Sequence, residues 1–297
     1  MSAITNPSFA KLHASFKDDL ANKGRSESTI LAYAKDIEQL LNFLSQQRGV
    51  SEISKVSLED LMAFKKLLEK ENYTAKSISR KINSIRTFFR FLENQDIIKD
   101  NPAERLAHPK FEIKPPRVLS QMEYRALRDV ARVDTRLFSI VELLLQTGIR
   151  ISELANLKLD DIKTDPKTGI RYLYIEAKNS HPSRKVPLNA SAYNAIQEYI
   201  KIRPESELDY LFVTKTGQPL LVRNIRTTID RAFEKAGIKN AKVNDLRNTF
   251  IAHHLANGVS LVTVSKLVGH KRLSTTEKYL GLIESKGTDE QKNLKAL

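Results

Sequence analysis

Thr147-Gly148-Ile149-Arg150-Ile151-Ser152-Glu153-Leu154 lies near the middle of a chain of 297 residues. It follows an apolar run, residues 137–147, that reads as a helix. Gly148 can take the left-handed backbone that stops such a helix without strain, and the turn lets Arg150 point inward. Residues 122–132 read as another helix on the N-terminal side. Downstream comes the one clear β region. Arg171-Tyr172-Leu173-Tyr174-Ile175-Glu176 is rich in β-formers, and Arg184-Lys185-Val186-Pro187-Leu188 looks like its partner. Asn179-Ser180-His181-Pro182 between them favours a turn. Helices are expected again over 190–202, 222–236, 245–257 and 260–268, with Gly237 and Gly258 where C-terminal caps belong. Residues 119–297 thus read as an α-rich domain with a small antiparallel β-sheet.

Working toward the N-terminus, residues 1–108 read as a separate, mostly helical domain. Ser26 or Ser28 can cap a helix whose Ile30, Tyr33, Ile37, Leu40, Leu41 and Leu44 share one face. Ser57 with Asp60 opens a second helix, with Leu58, Leu61, Phe64, Leu67 and Leu68 as its apolar positions. In a third, Ile78, Ile82, Ile85, Phe89 and Leu92 recur at helical spacing, and Lys76, Arg80, Arg86 and Arg90 fall on the opposite side. No acid interrupts this cationic strip. It reads as a surface for DNA phosphates, although the same letters fit a solvated charged face. Asn101-Pro102 ends the helical region, and a basic, proline-stiffened linker over 109–118 joins the two domains. The whole chain is expected to be mainly α.

Composition narrows the function. The chain has 41% hydrophobic and 28% charged residues, as a globular protein does. No secretory signal is recognisable, and no apolar stretch approaches the length of a membrane span. No cysteine is present, which rules out disulfides and thiolate metal sites and fits a reducing cytoplasm. A net charge of +14 favours nucleic acid as partner, because each phosphate neutralised by Lys or Arg releases condensed counterions. No low-complexity tail carries that charge, so it belongs to folded elements.

Two further blocks lie toward the C-terminus. One is Asn244-Asp245-Leu246-Arg247. The other is Leu267-Val268-Gly269-His270, followed by Thr275-Thr276-Glu277-Lys278-Tyr279. Two arginines, a histidine and a late tyrosine in this order resemble the tyrosine recombinases, the phage-integrase and Xer-type family. The resemblance runs over nearly the whole chain. It implies a helical core-binding (SAM-like) domain ahead of a catalytic domain. It also implies breakage and rejoining of DNA strands through a phosphotyrosine.

Phosphodiester cleavage without metal needs a nucleophile, cations around the non-bridging oxygens, and an acid for the leaving oxygen. Tyr279 is the candidate nucleophile; a free phenol, with a pKa of about 10, must lose its proton as it attacks. Arg150 and Arg247 can hold the phosphate with planar, bidentate donors that lysine does not reproduce. His270 can bond the same phosphate or position Tyr279. In the family, a lysine on the β-turn protonates the leaving 5′ oxygen. Lys178 matches its place, with Lys185 as rival. Glu153 either supports the site or lies on a helix surface, His253 reads as a packed histidine, and His254 as a surface one. The resemblance further implies a 3′-phosphotyrosyl intermediate and no metal, ATP or other cofactor. The implied partners are a specific, inverted-repeat DNA site, a tetramer of copies on that DNA, and in some systems a partner recombinase or accessory protein. The tail over 282–297 would pack on a neighbouring copy or fray.

Asn244 departs from the family, which typically places His, or less often Lys, three residues before the second arginine. Asparagine can donate a hydrogen bond to a phosphate oxygen but carries no proton to exchange. If the position only orients phosphate, the loss is modest; if it must act as acid or base, the rate falls by about 10²–10⁴. A non-catalytic DNA-binding relative would accommodate Asn244, but it leaves Arg150, Lys178, Arg247, His270 and Tyr279 without a purpose. A type IB topoisomerase-like enzyme is a weaker reading of the same chemistry.

Overall fold

The computed structural model describes residues 4–112, 114–177 and 182–282. By internal packing the chain falls into two compact units, 1–113 and 114–297.

The first unit holds α1 (Pro7–Asn22), α2 (Glu27–Gln47), α3 (Leu58–Lys70) and α4 (Ala75–Asn94). Asn6 caps α1 by accepting from the amides of Ser8 and Phe9. Ser26, rather than Ser28, caps α2 through the amide of Thr29. Ser57 and Asp60 form the reciprocal capping box at α3. The expected face of α4 is the buried one: Ile78, Ile82, Ile85, Phe89 and Leu92 are each at most 2% exposed. Each contributes about 1.5–3 kcal/mol by leaving water, enough to fix the rotation of the helix.

The opposite side of α4 does more than face solvent. Arg80 donates through both terminal nitrogens to Asp36 on α2, with Nη2 at 2.9 Å. Lys81 Nζ at 3.0 Å and Ser84 Oγ at 2.8 Å donate to the same carboxylate. Asp36 is 2% exposed, and a charge so deep in the fold is tolerated only with such partners. Arg86 donates to the carbonyls of Ala103, Glu104 and Leu106 at 3.3, 3.2 and 2.9 Å. Lys76 and Arg90 are exposed and form no ion pair among the described residues.

The second unit contains α5 (Gln121–Ala131), α6 (Thr135–Thr147), α7 (Ile151–Asn156), β1 (Ile162–Thr164), β2 (Arg171–Ile175), β3 (Arg184–Pro187), α8 (Ala190–Ile202), α9 (Val222–Lys235), α10 (Val243–Ala256), α11 (Leu261–Val268) and α12 (Ser274–Glu277). The sheet is antiparallel in the order β1-β2-β3, with Leu173 opposite Val186 and Ile175 opposite Arg184. Leu173, Ile175 and Val186 face the core, at 0%, 4% and 1% exposure. The third strand, β1, was not expected; three residues are too few to show alternation. α10 begins two residues before the expected position, which places Asn244 in its first turn. Gly148 stops α6 in the left-handed region, at φ 60°. A Cβ there would come within 2.8 Å of the Phe250 ring, so the position has neither backbone nor space for a side chain.

Among the described residues no helix is long and apolar enough to cross a membrane.

Candidate active site

The site is assembled on the C-terminal end of α11. Gly269 terminates that helix with φ 68°. The last carbonyls of any helix lack intrahelical partners and carry partial negative charge. Here three arginines from distant elements fill them. Arg184 of β3 donates its Nε to Leu267 O at 2.8 Å. Arg247 of α10 donates to Val268 O at 2.7 Å and, through its other nitrogen, to Gly148 O. Arg150, at the head of α7, donates to Gly269 O at 2.8 Å and more weakly to Val268 O at 3.4 Å. The two predicted arginines thus meet on one carbonyl. A guanidinium offers five N–H groups, so both keep donors for a ligand. Gly269 is required for this closeness: a Cβ would sit 2.9 Å from the Arg184 guanidinium.

Glu153 organises the cluster. Its carboxylate takes a two-pronged ion pair from Arg184, at 2.9 and 2.7 Å, and also accepts from the Arg150 side chain at 2.8 Å and the Arg150 amide at 2.7 Å. Burial pushes its pKa up. The hydrogen bonds from Arg184 and the Arg150 amide, with both arginine charges, outweigh burial and leave it at about 2. Because the folded value lies below the ordinary glutamate value of 4.5, this contribution to stability is complete above that value. It is lost as pH falls toward about 2. Glu153→Gln is therefore expected to flatten the fall in Tm between those limits. A melting series over pH 2–6 checks it; an unchanged acid slope would mean that other carboxylates carry the effect.

Arg247 is 6% exposed. Burial first, then the nearby charge of Arg150, push its pKa down to about 9, with Glu153 acting in the other direction. It remains a cation at neutral pH. A cavity of about 460 Å³ opens beside the pair, lined by Arg150, Arg247, Asn244, Lys242 and Arg226 among others. Its lining holds four cations against one acid, Asp230, and it is large enough for a phosphate.

His270 follows Gly269 directly, and its ring is oriented by Nδ1 against Thr276 Oγ1 at 2.8 Å. Tyr279 is 6% exposed. Its hydroxyl donates to Asn248 Oδ1 at 2.8 Å. Burial pushes the phenol up, Arg247 pulls it down, and Asp245 pushes it up again, so it is protonated at neutral pH. Tyr279 lies just past the four-residue α12 rather than inside a long helix. Asn244 is exposed and donates to the same Asn248 oxygen at 3.2 Å.

Of the predicted residues, Arg150 and Arg247 share Val268 O; His270 and Tyr279 flank α12 immediately beyond it, and Asn244 joins them through Asn248. Lys178 lies outside the described residues. Its rival Lys185 is exposed, 3.9 Å from an Asp165 carboxylate oxygen and 4.7 Å from the Tyr172 ring centroid. Lys76, Arg80, Arg86 and Arg90 lie in the other unit. The two histidines of α10 exchange the roles read from sequence: His253 is exposed, while His254 packs on Phe250 at 4.3 Å between ring centroids. Arg184 and Asn248 escaped the sequence reading. Arg184 looked like one more strand cation, and only the single glycine gap at position 269 hints at what approaches there.

Comparison with known proteins fits this geometry. Residues 117–285 match the phage integrase family, and residues 14–96 match the N-terminal SAM-like domain of phage integrases. Tyrosine recombinase XerC of Oceanobacillus iheyensis is 32% identical over 269 residues, covering 86% of each chain. A tyrosine recombinase of Thermosipho africanus is 31% identical over 293 residues, 94% of this chain and 98% of that one. The fold also matches the XerH site-specific recombinase solved on a palindromic difH substrate in a post-cleavage complex. There the TM-score is 0.76 at 17% identity, covering 93% of this chain and 82% of the other. With a family model over most of the second unit and relatives above 30% identity along most of its length, the chain is a member of the phage integrase family, a tyrosine-type site-specific DNA recombinase.

Proposed function

We propose that Tyr279 attacks a DNA phosphate held by Arg150 and Arg247, forming a 3′-phosphotyrosyl link and releasing a 5′ hydroxyl. The observation that carries this reading is the convergence of both guanidiniums on Val268 O beside a cationic cavity. Planar donors fixed in advance stabilise the charge that builds on the phosphoryl oxygens, at no reorganisation cost when the bond breaks. His270, held by Thr276, supplies a further donor, and Lys178 the proton for the leaving oxygen. The ester conserves the energy of the broken strand, and a 5′ hydroxyl from a second duplex reverses the step. Residues 1–108 and 119–297, joined by 109–118, act as DNA-gripping and catalytic domains. The target is an inverted-repeat site, the working form a tetramer on DNA, with or without a partner recombinase, in the cytoplasm.

The reading is tested by mixing the protein, with EDTA, with nicked duplexes tiled from DNA flanking its own gene. A denaturing gel should show a band containing both protein and DNA, and peptide mapping should place the DNA on Tyr279. Binding without any such band would remove the catalytic reading.

Asn244 gives the phosphate a neutral donor. Asn244→His is expected to raise the single-turnover cleavage rate by about 10²-fold or more, because histidine adds proton transfer to hydrogen bonding. An unchanged or lower rate would show that this position does not limit the chemistry.

Lys76 and Arg90 contribute to DNA affinity through phosphates. Alanine at either is expected to lower the slope of log K against log salt by about 1. Arg80→Ala should instead lower Tm, because Asp36 loses a partner. Salt titrations of all three variants separate the two roles; identical slopes would remove the strip from the interface.

A further inference from the structure

Asn248 of α10 takes no part in the reaction as described, yet its side chain is saturated with partners. Its Oδ1 accepts from the Tyr279 hydroxyl at 2.8 Å and from Asn244 Nδ2 at 3.2 Å. Its Nδ2 donates to Arg117 O at 3.0 Å and to Asp245 Oδ1 at 3.1 Å. A carbonyl and a carboxylate accept only, so they can face only the NH₂ end of the amide; the oxygen end is thereby turned to the phenol. Asn248 and Tyr279 are each 6% exposed, which leaves little water to compete for the bond.

An amide oxygen accepts a hydrogen bond but does not take the proton. Held on Asn248, the phenol therefore keeps its proton and is not an activated nucleophile. The hydroxyl is bonded to Asn248, and the cavity beside Arg150 and Arg247 is lined by Asn244 but not by Tyr279.

We propose that Asn248 is a positioning residue for strand cleavage, holding the Tyr279 hydroxyl protonated and outside the phosphate cavity until the tyrosine leaves it to attack. The proposal rests on Tyr279 being the nucleophile. Asn244 lines the cavity and grips the same Asn248 oxygen, so it connects ligand to hold. A phosphate that draws the Asn244 amide toward itself leaves the Asn248 amide with one partner fewer and loosens it.

Two readouts test the hold. Nitration with tetranitromethane, followed by peptide mass spectrometry, reads the availability of Tyr279 without DNA. Asn248→Leu is expected to nitrate Tyr279 about 3–10-fold faster than the native protein, the range set by one net hydrogen bond, with other tyrosines unchanged. In single-turnover cleavage at saturating nicked duplex, Asn248→Leu should be faster by a similar factor. Faster cleavage together with faster nitration excludes a merely structural role, which would slow cleavage in step with Tm. Equal nitration of Asn248→Leu and native protein overturns the proposal, as does slower cleavage by Asn248→Leu at unchanged Tm. If Asn248→Leu does not fold, Asn248→Ala carries the same expectations. If the native protein never links DNA to Tyr279 while the Asn248 variant still nitrates faster, the nucleophile assignment fails and the hold stands.

Discussion

A Tyr279→Phe variant is expected to lose the covalent protein–DNA adduct entirely, a fall of roughly 10⁴-fold or more, as removal of a nucleophile generally produces. The ring that fills the pocket beside Phe250, Ile251 and Val268 is retained, so the core around α10 and α11 should keep its packing. What disappears is one hydroxyl and its bond to Asn248. Asn248 still receives Asn244 on the same oxygen, so no buried acceptor is left empty. The stability cost should stay within about 0.5–1.5 kcal/mol, the net worth of one hydrogen bond. Thermal melting, gel-shift affinity and the denaturing-gel assay on one preparation make the comparison. An adduct that persists in Tyr279→Phe would transfer the nucleophile to another tyrosine; an adduct lost together with the fold would say nothing specific about the hydroxyl.

Arg247→Lys is expected to lower single-turnover cleavage by about 10²–10³, the usual cost of removing one preorganised donor at a developing charge. The substitution keeps the cation and removes the fork. Arg247 reaches Gly148 O with one terminal nitrogen and Val268 O with the other, a span that a single ammonium does not bridge. It also ties the turn carrying Arg150 to the end of α11, so a lysine should loosen the partner arginine as well. DNA affinity, which is spread over many phosphates, should change far less than the rate. A loss of affinity with the rate at saturating DNA unchanged would indicate a ground-state contact rather than one made in the transition state.

The helical face of α4, the Gly148 stop, the Ser57–Asp60 cap and the antiparallel pairing of β2 with β3 were all legible in the letters. Each is written in residues within a few positions of one another, and backbone sterics or burial of a periodic face decides them. β1 was illegible because three residues carry no period. The roles of His253 and His254 came out exchanged, since neighbouring positions on a helix differ by about 100° and a small error in rotation swaps inside for outside.

The sequence by itself determined that the chain is mainly α and basic, with two arginines, a histidine and a tyrosine at family spacing, and that Asn244 stands where a proton-exchanging side chain is usual. Only the tertiary structure decided which charges are spent on partners inside the protein and which stay exposed. Arg80 answers Asp36 across 44 residues, Arg184 answers Glu153 across 31, and Tyr279 meets Asn248 across 31. Such pairs have no signature along the chain. They form because buried carboxylates, orphaned helix carbonyls and buried hydroxyls must each find a partner once the cores close, and the partner is whichever group the packing brings within hydrogen-bond reach.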